Sequence, residues 1–268
     1  MKHIVTKLAH IVYLYILHNY MFVEFVNRKK AKKFNEDLIR VTEGKSDLMQ
    51  IGTEDNQQIF KVVINPNAKK TVCFIAGIHG NEEAGPYGVL SFLEGGFHVP
   101  SHKRVIIIPL GNPYGFEKNK RENADNEDIN RHFLKKELKG ECKVLWDALK
   151  NENIDLLHTL HEDPSTDKFY LYYTHHKKLA QDLRELAIKY FNIQEDGEAL
   201  SIGEKQGEGD KIRDGLCPLP HVVRGTIEDK AIIERAIPYI TTESPGKVDL
   251  KKRINYNKDA IKMSINQF

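Results

Sequence analysis

The chain is poor in the features that mark disulfide scaffolds, nucleic-acid binders and membrane spans. Its three cysteines, Cys73, Cys142 and Cys217, lie far apart with no C-x-x-C pair. That argues against a disulfide framework and against a thiolate metal site, and it favours a reducing compartment. Charge of one sign is lacking too: 40 Lys plus Arg against 38 Asp plus Glu leave a formal net charge of +2. No long-range field therefore draws the chain to nucleic acid, and no nucleic-acid partner is expected. There is no internal repeat and no low-complexity tract. Residues 11–26 are rich in Val, Tyr, Ile, Leu and Phe, but His18, Asn19 and Glu24 interrupt them, His10 precedes them, and no small-residue cleavage site follows. A signal peptide or membrane anchor wants an uninterrupted apolar core, so export and membrane anchoring are the less favoured readings. The expectation is a soluble, cytoplasmic protein. Residues 1–26 form an N-terminal apolar extension, either a helix packed on the domain or a stretch upstream of a start at Met21. Residues 27–268 are expected to form a single domain.

What is present suits such a domain. At 268 residues, with 40% hydrophobic and 29% charged side chains, the chain can bury a sizeable core. A charged helix over 27–41 is followed by strands at 48–52 and 58–64 about a Thr53-Glu-Asp-Asn56 turn. Further apolar runs at 71–78, 104–110, 154–161, 169–174 and 239–243 read as strands. Helical patterns at 84–94, 141–150, 176–191, 227–236 and 249–267 alternate with them. Such alternation indicates a layered α/β sheet. Residues 194–214 carry many Gly and charged residues and little apolar periodicity, so they read as a long surface loop able to wall a cleft.

The chemistry gathers where these strands end. The run ending at Ile78 is followed at once by His79-Gly-Asn-Glu82. Imidazole and carboxylate are both good zinc ligands, and a catalytic site needs three such ligands and an open position. A lone H-x-x-E is weak, because many surface helices contain it by chance. The 104–110 strand leads into a long polar stretch holding Arg121 and Arg131 amid Asn and Asp. A guanidinium there suits a polarised carbonyl or a carboxylate. The bland alternative is a solvated loop whose arginines pair with its own Glu122, Glu127 and Asp128. His158 and His161 are three apart on a strand and so face opposite sides of the sheet; only one can join His79. His161 adjoins the polar Glu162-Asp163-Pro164 turn and is favoured as third ligand, whereas His158 reads as a core histidine satisfied by a backbone carbonyl. The strand at 239–243 likewise ends in a carboxylate, Glu243.

Taken together these segments resemble the zinc carboxypeptidase (funnelin) family. His79-Gly-Asn-Glu82 matches its H-x-x-E pair and Asn112-Pro-Tyr-Gly115 its N-P-x-G turn. Arg121-Glu-Asn123 with Asp128-Ile-Asn-Arg131 matches its R-x-N…D-x-N-R segment, and Glu243 stands where the family keeps a catalytic glutamate. The resemblance implies a three-layer α/β/α fold with a mixed, twisted sheet and one zinc ion per chain held by His79, Glu82 and His161. It also implies that Asp128 orients His79, Arg121 stabilises the oxyanion, Asn130 and Arg131 bind the substrate's free carboxylate, and Glu243 acts as base. Two departures bear on the substrate. Digestive-type members keep a mobile tyrosine before the catalytic glutamate, and Thr226-Ile-Glu-Asp-Lys-Ala231 has none. The short core is more similar to small microbial members, some resembling murein-peptide amidases, and to the related succinylglutamate desuccinylase and aspartoacylase branch. The leading expectation is therefore a metallocarboxypeptidase or peptide amidase acting beside a free carboxylate. An N-acyl amino acid deacylase is the alternative, and a catalytically silent zinc- or peptide-binding module the third reading.

Overall fold

The structure, a computed structural model, describes residues 31–96, 98–199, 210–218 and 223–268. The apolar segment 1–26 and the middle of the expected 194–214 loop lie outside the described residues. Among those described, no helix is long and apolar enough to cross a membrane.

Two strands, β1 (Asp47–Glu54) and β2 (Gln57–Ile64), form an antiparallel hairpin at one edge of the sheet. The interior strands are β3 (Lys70–Ala76), β4 (Lys103–Ile108), β5 (Leu156–Asp163) and β11 (Tyr239–Pro245). Beyond them lie β6 (Lys168–Tyr173), β7 (Asn192–Ile193) and β10 (Leu216–Pro218), giving the order β1-β2-β4-β3-β5-β11-β6-β10 with β7 beside β6. The sheet is mixed: β4, β3, β5 and β11 run parallel, while β2 joins β4 and β6 joins β11 antiparallel. Near-continuous apolar sequence is what strands covered on both faces require, and six of the seven residues of β3 are buried.

Alternation along these strands divides the core. Val72, Phe74, Leu156 and Leu160 point to one face, which is covered by α1 (Ala31–Thr42), α2 (Ala84–Glu94), α5 (Lys177–Ala187) and α7 (Leu250–Gln267). Cys73, Ile75, Leu157 and Tyr239 point to the other, under α4 (Gly140–Asp147) and α6 (Ile227–Arg235). This is the three-layer α/β/α arrangement expected, with helices on both faces of the sheet.

Two local expectations change. β5 runs two residues past His161, to Asp163, because β11 stays paired with it as far as Pro245. The expected 194–214 loop holds a small hairpin of β8 (Gly197–Ala199) with β9 (Asp210–Ile212), and Asp210 is fully buried.

The topology decides where a site can form. From β3 the chain crosses through α2 to β4 on one side, and after β4 it returns to β5 on the other side of β3. Parallel sheets bind ligands in the crevice outside the carboxyl ends of the strands where the order reverses in this way. Here that crevice opens between the ends of β3 and β5.

Candidate metal and substrate site

β3 ends at Ala76, and Gly77 (φ 62°) turns the chain sharply into Ile78 and His79. Only glycine adopts this left-handed backbone at no steric cost. Gly80 then lies against Gly115: a Cβ at position 80 would come within 2.0 Å of the Gly115 carbonyl carbon. This contact accounts for the N-P-x-G turn. Asn112 Oδ1 accepts from the Gly115 amide at 2.8 Å and so caps α3 (Pro113–Lys118), and Asn112 Nδ2 donates to the Arg121 carbonyl at 3.2 Å. The turn is thus a clasp holding the His79 segment and the Arg121 segment together.

Glu82 sits at the centre of the site. Its Oε1 is 2.5 Å from His79 Nδ1 and its Oε2 is 2.8 Å from His161 Nδ1, and all three side chains are buried. One donor atom from each residue lies within 4.8 Å of the others, and among the described residues this is the one group of three or more His, Cys, Asp or Glu placed to share a metal ion. Two imidazole nitrogens and a carboxylate oxygen beside an open cavity fit a catalytic zinc set. His158 stays out of this group. Period-two alternation turns it to the α7 face, where its ring packs on Phe74 and its nitrogens meet Ser264 Oγ at 3.0 Å and Thr242 Oγ1 at 3.3 Å. Its partners are hydroxyls, not the expected backbone carbonyl.

The Asp128-Ile-Asn-Arg131 segment closes one side. Asp128 Oδ1 is 3.1 Å from His79 Nε2 and accepts from the Asn130 amide at 3.0 Å, starting the short 3-10 helix Ile129–Arg131. Arg121 Nε donates to Asp128 Oδ2 at 2.9 Å and its Nη1 to Glu82 Oε1 at 3.3 Å. The bland expectation for this stretch holds in one respect, since Arg121 does pair within its own segment. Asn130 is buried, and its Oδ1 accepts from the Ile227 amide at 3.0 Å, tying this segment to α6. Arg131 Nη1 donates to the Asn130 carbonyl at 2.8 Å, and Arg131 lines the cavity. Glu243 pairs in register with His161 on the neighbouring parallel strand and faces the same space.

That space is a cavity of about 600 Å³ bounded by His79, Glu82, Arg121, Arg131, His161 and Glu243. The structure also places there residues that the sequence did not single out. Glu228 and Thr241 line it, as do Tyr170, Tyr172 and Tyr239, so tyrosines reach the cavity from β6 and β11 although none stands in Thr226–Ala231. Tyr170 is fixed by donating its hydroxyl to Asp163 Oδ2 at 2.9 Å. Next to His161, Glu162 is turned away to accept from the Ala84 amide at 2.6 Å and to pair with Arg253.

Electrostatics separate the carboxylates. Burial alone would raise Glu82, but the two imidazoles beside it reverse that and hold its carboxyl far below the usual range. Asp128 is likewise opposed by burial and held low by His79, Arg121 and Arg131. Burial depresses the Arg121 guanidinium, yet Glu82 and Asp128 outweigh it and raise its pKa. Glu243 moves the other way: burial, reinforced by the negative charge of Glu82 and Asp163, lifts it well above an ordinary carboxylate. Glu228 is opposed by burial but drawn down to about 2 by His161. Glu82, Asp128 and Glu228 held low and Glu243 held high divide the carboxylates around the cavity by their readiness to take a proton.

Comparison with solved structures agrees with this architecture. The chain is similar to a protein from Shewanella amazonensis described as a candidate metallopeptidase, with a TM-score of 0.78 and 24% identity over 89% of this chain and 93% of that one. A metallo-carboxypeptidase from Pseudomonas aeruginosa, in complex with (2-guanidinoethylmercapto)succinic acid, superposes with a TM-score of 0.67 and 15% identity over 88% of this chain and 68% of that chain. The murein-tripeptide amidase of Escherichia coli O157 gives 0.59 and 14% over 82% and 92%. At these identities the likeness establishes the fold. No curated protein matches the sequence significantly. The model of the succinylglutamate desuccinylase/aspartoacylase catalytic domain matches residues 68–206, more than half of the chain and the span that carries His79, Glu82, Arg121, Asp128, Asn130, Arg131 and His161. The chain belongs to the succinylglutamate desuccinylase/aspartoacylase catalytic-domain family.

Proposed function

We propose that the protein is a zinc-dependent hydrolase that cleaves an amide bond next to a free carboxylate. The observation that carries this reading is the convergence of His79, Glu82 and His161 on one point, with Arg121 and Glu243 facing the same cavity. His79, Glu82 and His161 would hold the ion. When bound, zinc supplies a Lewis acid and a water that ionises near neutrality. Glu243 takes a proton from the attacking water and passes it to the leaving nitrogen. The burial that raises its pKa makes it the stronger proton acceptor, while a cation at Glu82 pulls in the opposite direction. Arg121, anchored by Asp128, meets the developing oxyanion from the protein side. Arg131 and the side-chain Nδ2 of Asn130 grip the carboxylate of the substrate; the Asn130 side-chain oxygen is committed to Ile227 and its backbone N–H to Asp128. Membership of the desuccinylase and aspartoacylase family moves N-acyl amino acids to the front as substrates, with short peptides second. A cavity of about 600 Å³ has the size of a small-molecule site and suits either class. A silent binding module would have no use for Glu243 and Arg121 together.

The purified protein is expected to carry about one zinc per chain. It should hydrolyse members of a screen of N-acyl amino acids, C-terminal dipeptides and γ-glutamyl-diaminopimelate peptides, and lose that activity when the carboxylate is blocked as an amide. Glu243→Gln should fold and keep the metal while hydrolysis drops by at least about 100-fold. An active Glu243→Gln enzyme, or equal cleavage of blocked substrates, would overturn the assignment.

A further inference from the structure

The two ligand imidazoles offer the same nitrogen to the site and differ in what stands behind them. Each faces Glu82 through Nδ1, which leaves Nε2 as the outward nitrogen. For His79 that nitrogen has Asp128 at 3.1 Å. For His161 it is buried without an aligned hydrogen-bond partner among the described residues. The carboxylate facing it is Glu228, whose Oε1 lies 3.5 Å away, and the two side chains are 4% and 5% exposed. An imidazole that binds metal through one nitrogen carries its proton on the other, and a buried N–H without an acceptor is costly.

We infer that Glu228 is a positioning residue for His161: its carboxylate accepts the Nε2 proton, fixes the metal-binding tautomer and holds the ring toward Glu82, as Asp128 does for His79. The inference rests on the proposed metal site and extends it to a residue on another element. The carboxylate is itself held in place. Thr241 donates to the same Oε1 at 3.4 Å, and Thr241 is bonded to Thr159 at 2.9 Å across the β5–β11 register. Thr159, His161 and Thr241 share the α6 face of the sheet, so a hydroxyl pair and an imidazole meet one carboxylate delivered by a helix. The position in α6 suits an anion. Glu228 is in the first helical turn, behind the Thr226–Asp229 capping box, where backbone N–H groups favour negative charge. Glu228 also lies beyond residues 68–206, so the family match does not reach it.

The test is metal affinity. Zinc binding by the wild-type protein, Glu228→Gln and Glu228→Ala is measured by competition with a chelating indicator, with Asp128→Asn as reference for the other imidazole. Circular dichroism checks that each variant is folded. Removing an outer partner of a ligand histidine typically costs 10–100-fold in affinity, so both Glu228 variants are expected to bind zinc about that much more weakly. In the zinc-loaded wild type, proton–nitrogen correlation spectra should show His161 protonated at Nε2 with a slowly exchanging proton, and that signal should exchange faster in Glu228→Gln. A packing role alone would lower the melting temperature without changing zinc affinity or the Nε2 proton. Glu228→Gln that folds and binds zinc within twofold of wild type overturns the inference; if Glu228→Ala fails to fold, Glu228→Gln decides. A wild-type protein that binds no zinc overturns the metal site itself, a separate outcome.

Discussion

His158 and His161 stand three residues apart on β5, both buried, and share almost nothing else. His161 looks toward α6 and meets two carboxylates, Glu82 and Glu228. His158 looks toward α7 and meets an aromatic ring and two hydroxyls. Burial opposes protonation of both rings. At His161 the carboxylates outweigh it and raise the pKa well above the ordinary value; at His158 nothing does, and the pKa is pushed down to about 3. The surroundings of the two rings, carboxylates for one and a ring with hydroxyls for the other, set the difference, and the pleat of one strand turns each histidine to its own side.

The most severe test of this comparison exchanges each histidine for alanine. His161→Ala should release the metal and take hydrolysis with it, because two remaining ligands do not hold a catalytic ion. His158→Ala should keep the metal and lose stability, by about 2–4 kcal/mol for a buried ring replaced by a cavity. Metal analysis after dialysis, paired with thermal unfolding, separates the two. Metal loss from His158→Ala with retention in His161→Ala would reverse the assignment of the faces.

The choice between these histidines was legible in the sequence because it needs only strand periodicity and the position of the polar turn. The same is true of the other residues near strand ends: His79, Glu82 and Glu243 follow apolar runs whose termini the composition marks. Arg121 and Asp128 were legible through motif order, although their contact with each other and with Glu82 required the clasp at Gly80 and Gly115. Glu228 was not legible. A Thr-x-x-Asp box with acids in the first turn is the ordinary start of a helix, and its sequence does not say which acid is turned inward. The clue available was that Glu228 adjoins Ile227 on the stripe that also carries Ala231, and such adjacency is common at solvent-facing boundaries. The tyrosines of the cavity were hidden for a similar reason. Tyr170 and Tyr172 sit on a strand that reads as core, and only the antiparallel register with β11 brings Tyr170 beside Glu243.

A milder probe of the same contrast is pH. The ordinary histidine value is 6.5, and His158 is held at about 3. The unfolded chain therefore binds this proton over a window in which the folded chain does not. The contribution of His158 to stability is present above about pH 6.5 and is lost progressively as the pH falls toward 3. Across the whole window the effect is on the order of 5 kcal/mol. His158→Leu should flatten this acid limb. Denaturant unfolding of both proteins at matched pH gives the difference, in which metal loss on acidification cancels because both retain the same ligands. Parallel acid limbs would show that the ring is not held neutral by its surroundings.

The smallest expected effect tests whether the packing face can be altered without reaching the chemical one. Ser264 Oγ lies on α7, 3.0 Å from His158 Nδ1. Ser264→Ala removes that partner from a fully buried ring and should cost about 1–2 kcal/mol, the usual penalty of an unmet buried hydrogen bond. Zinc affinity should not change, since His158 and Thr242 belong to the α7 face and the proposed ligands are carried on the other face and the rim. A calorimetric melt and a zinc titration on the same sample measure both quantities. If Ser264→Ala weakened zinc binding in proportion to its loss of stability, the two faces would be mechanically coupled through β5, and the separation of core histidine from ligand histidine would be one of degree.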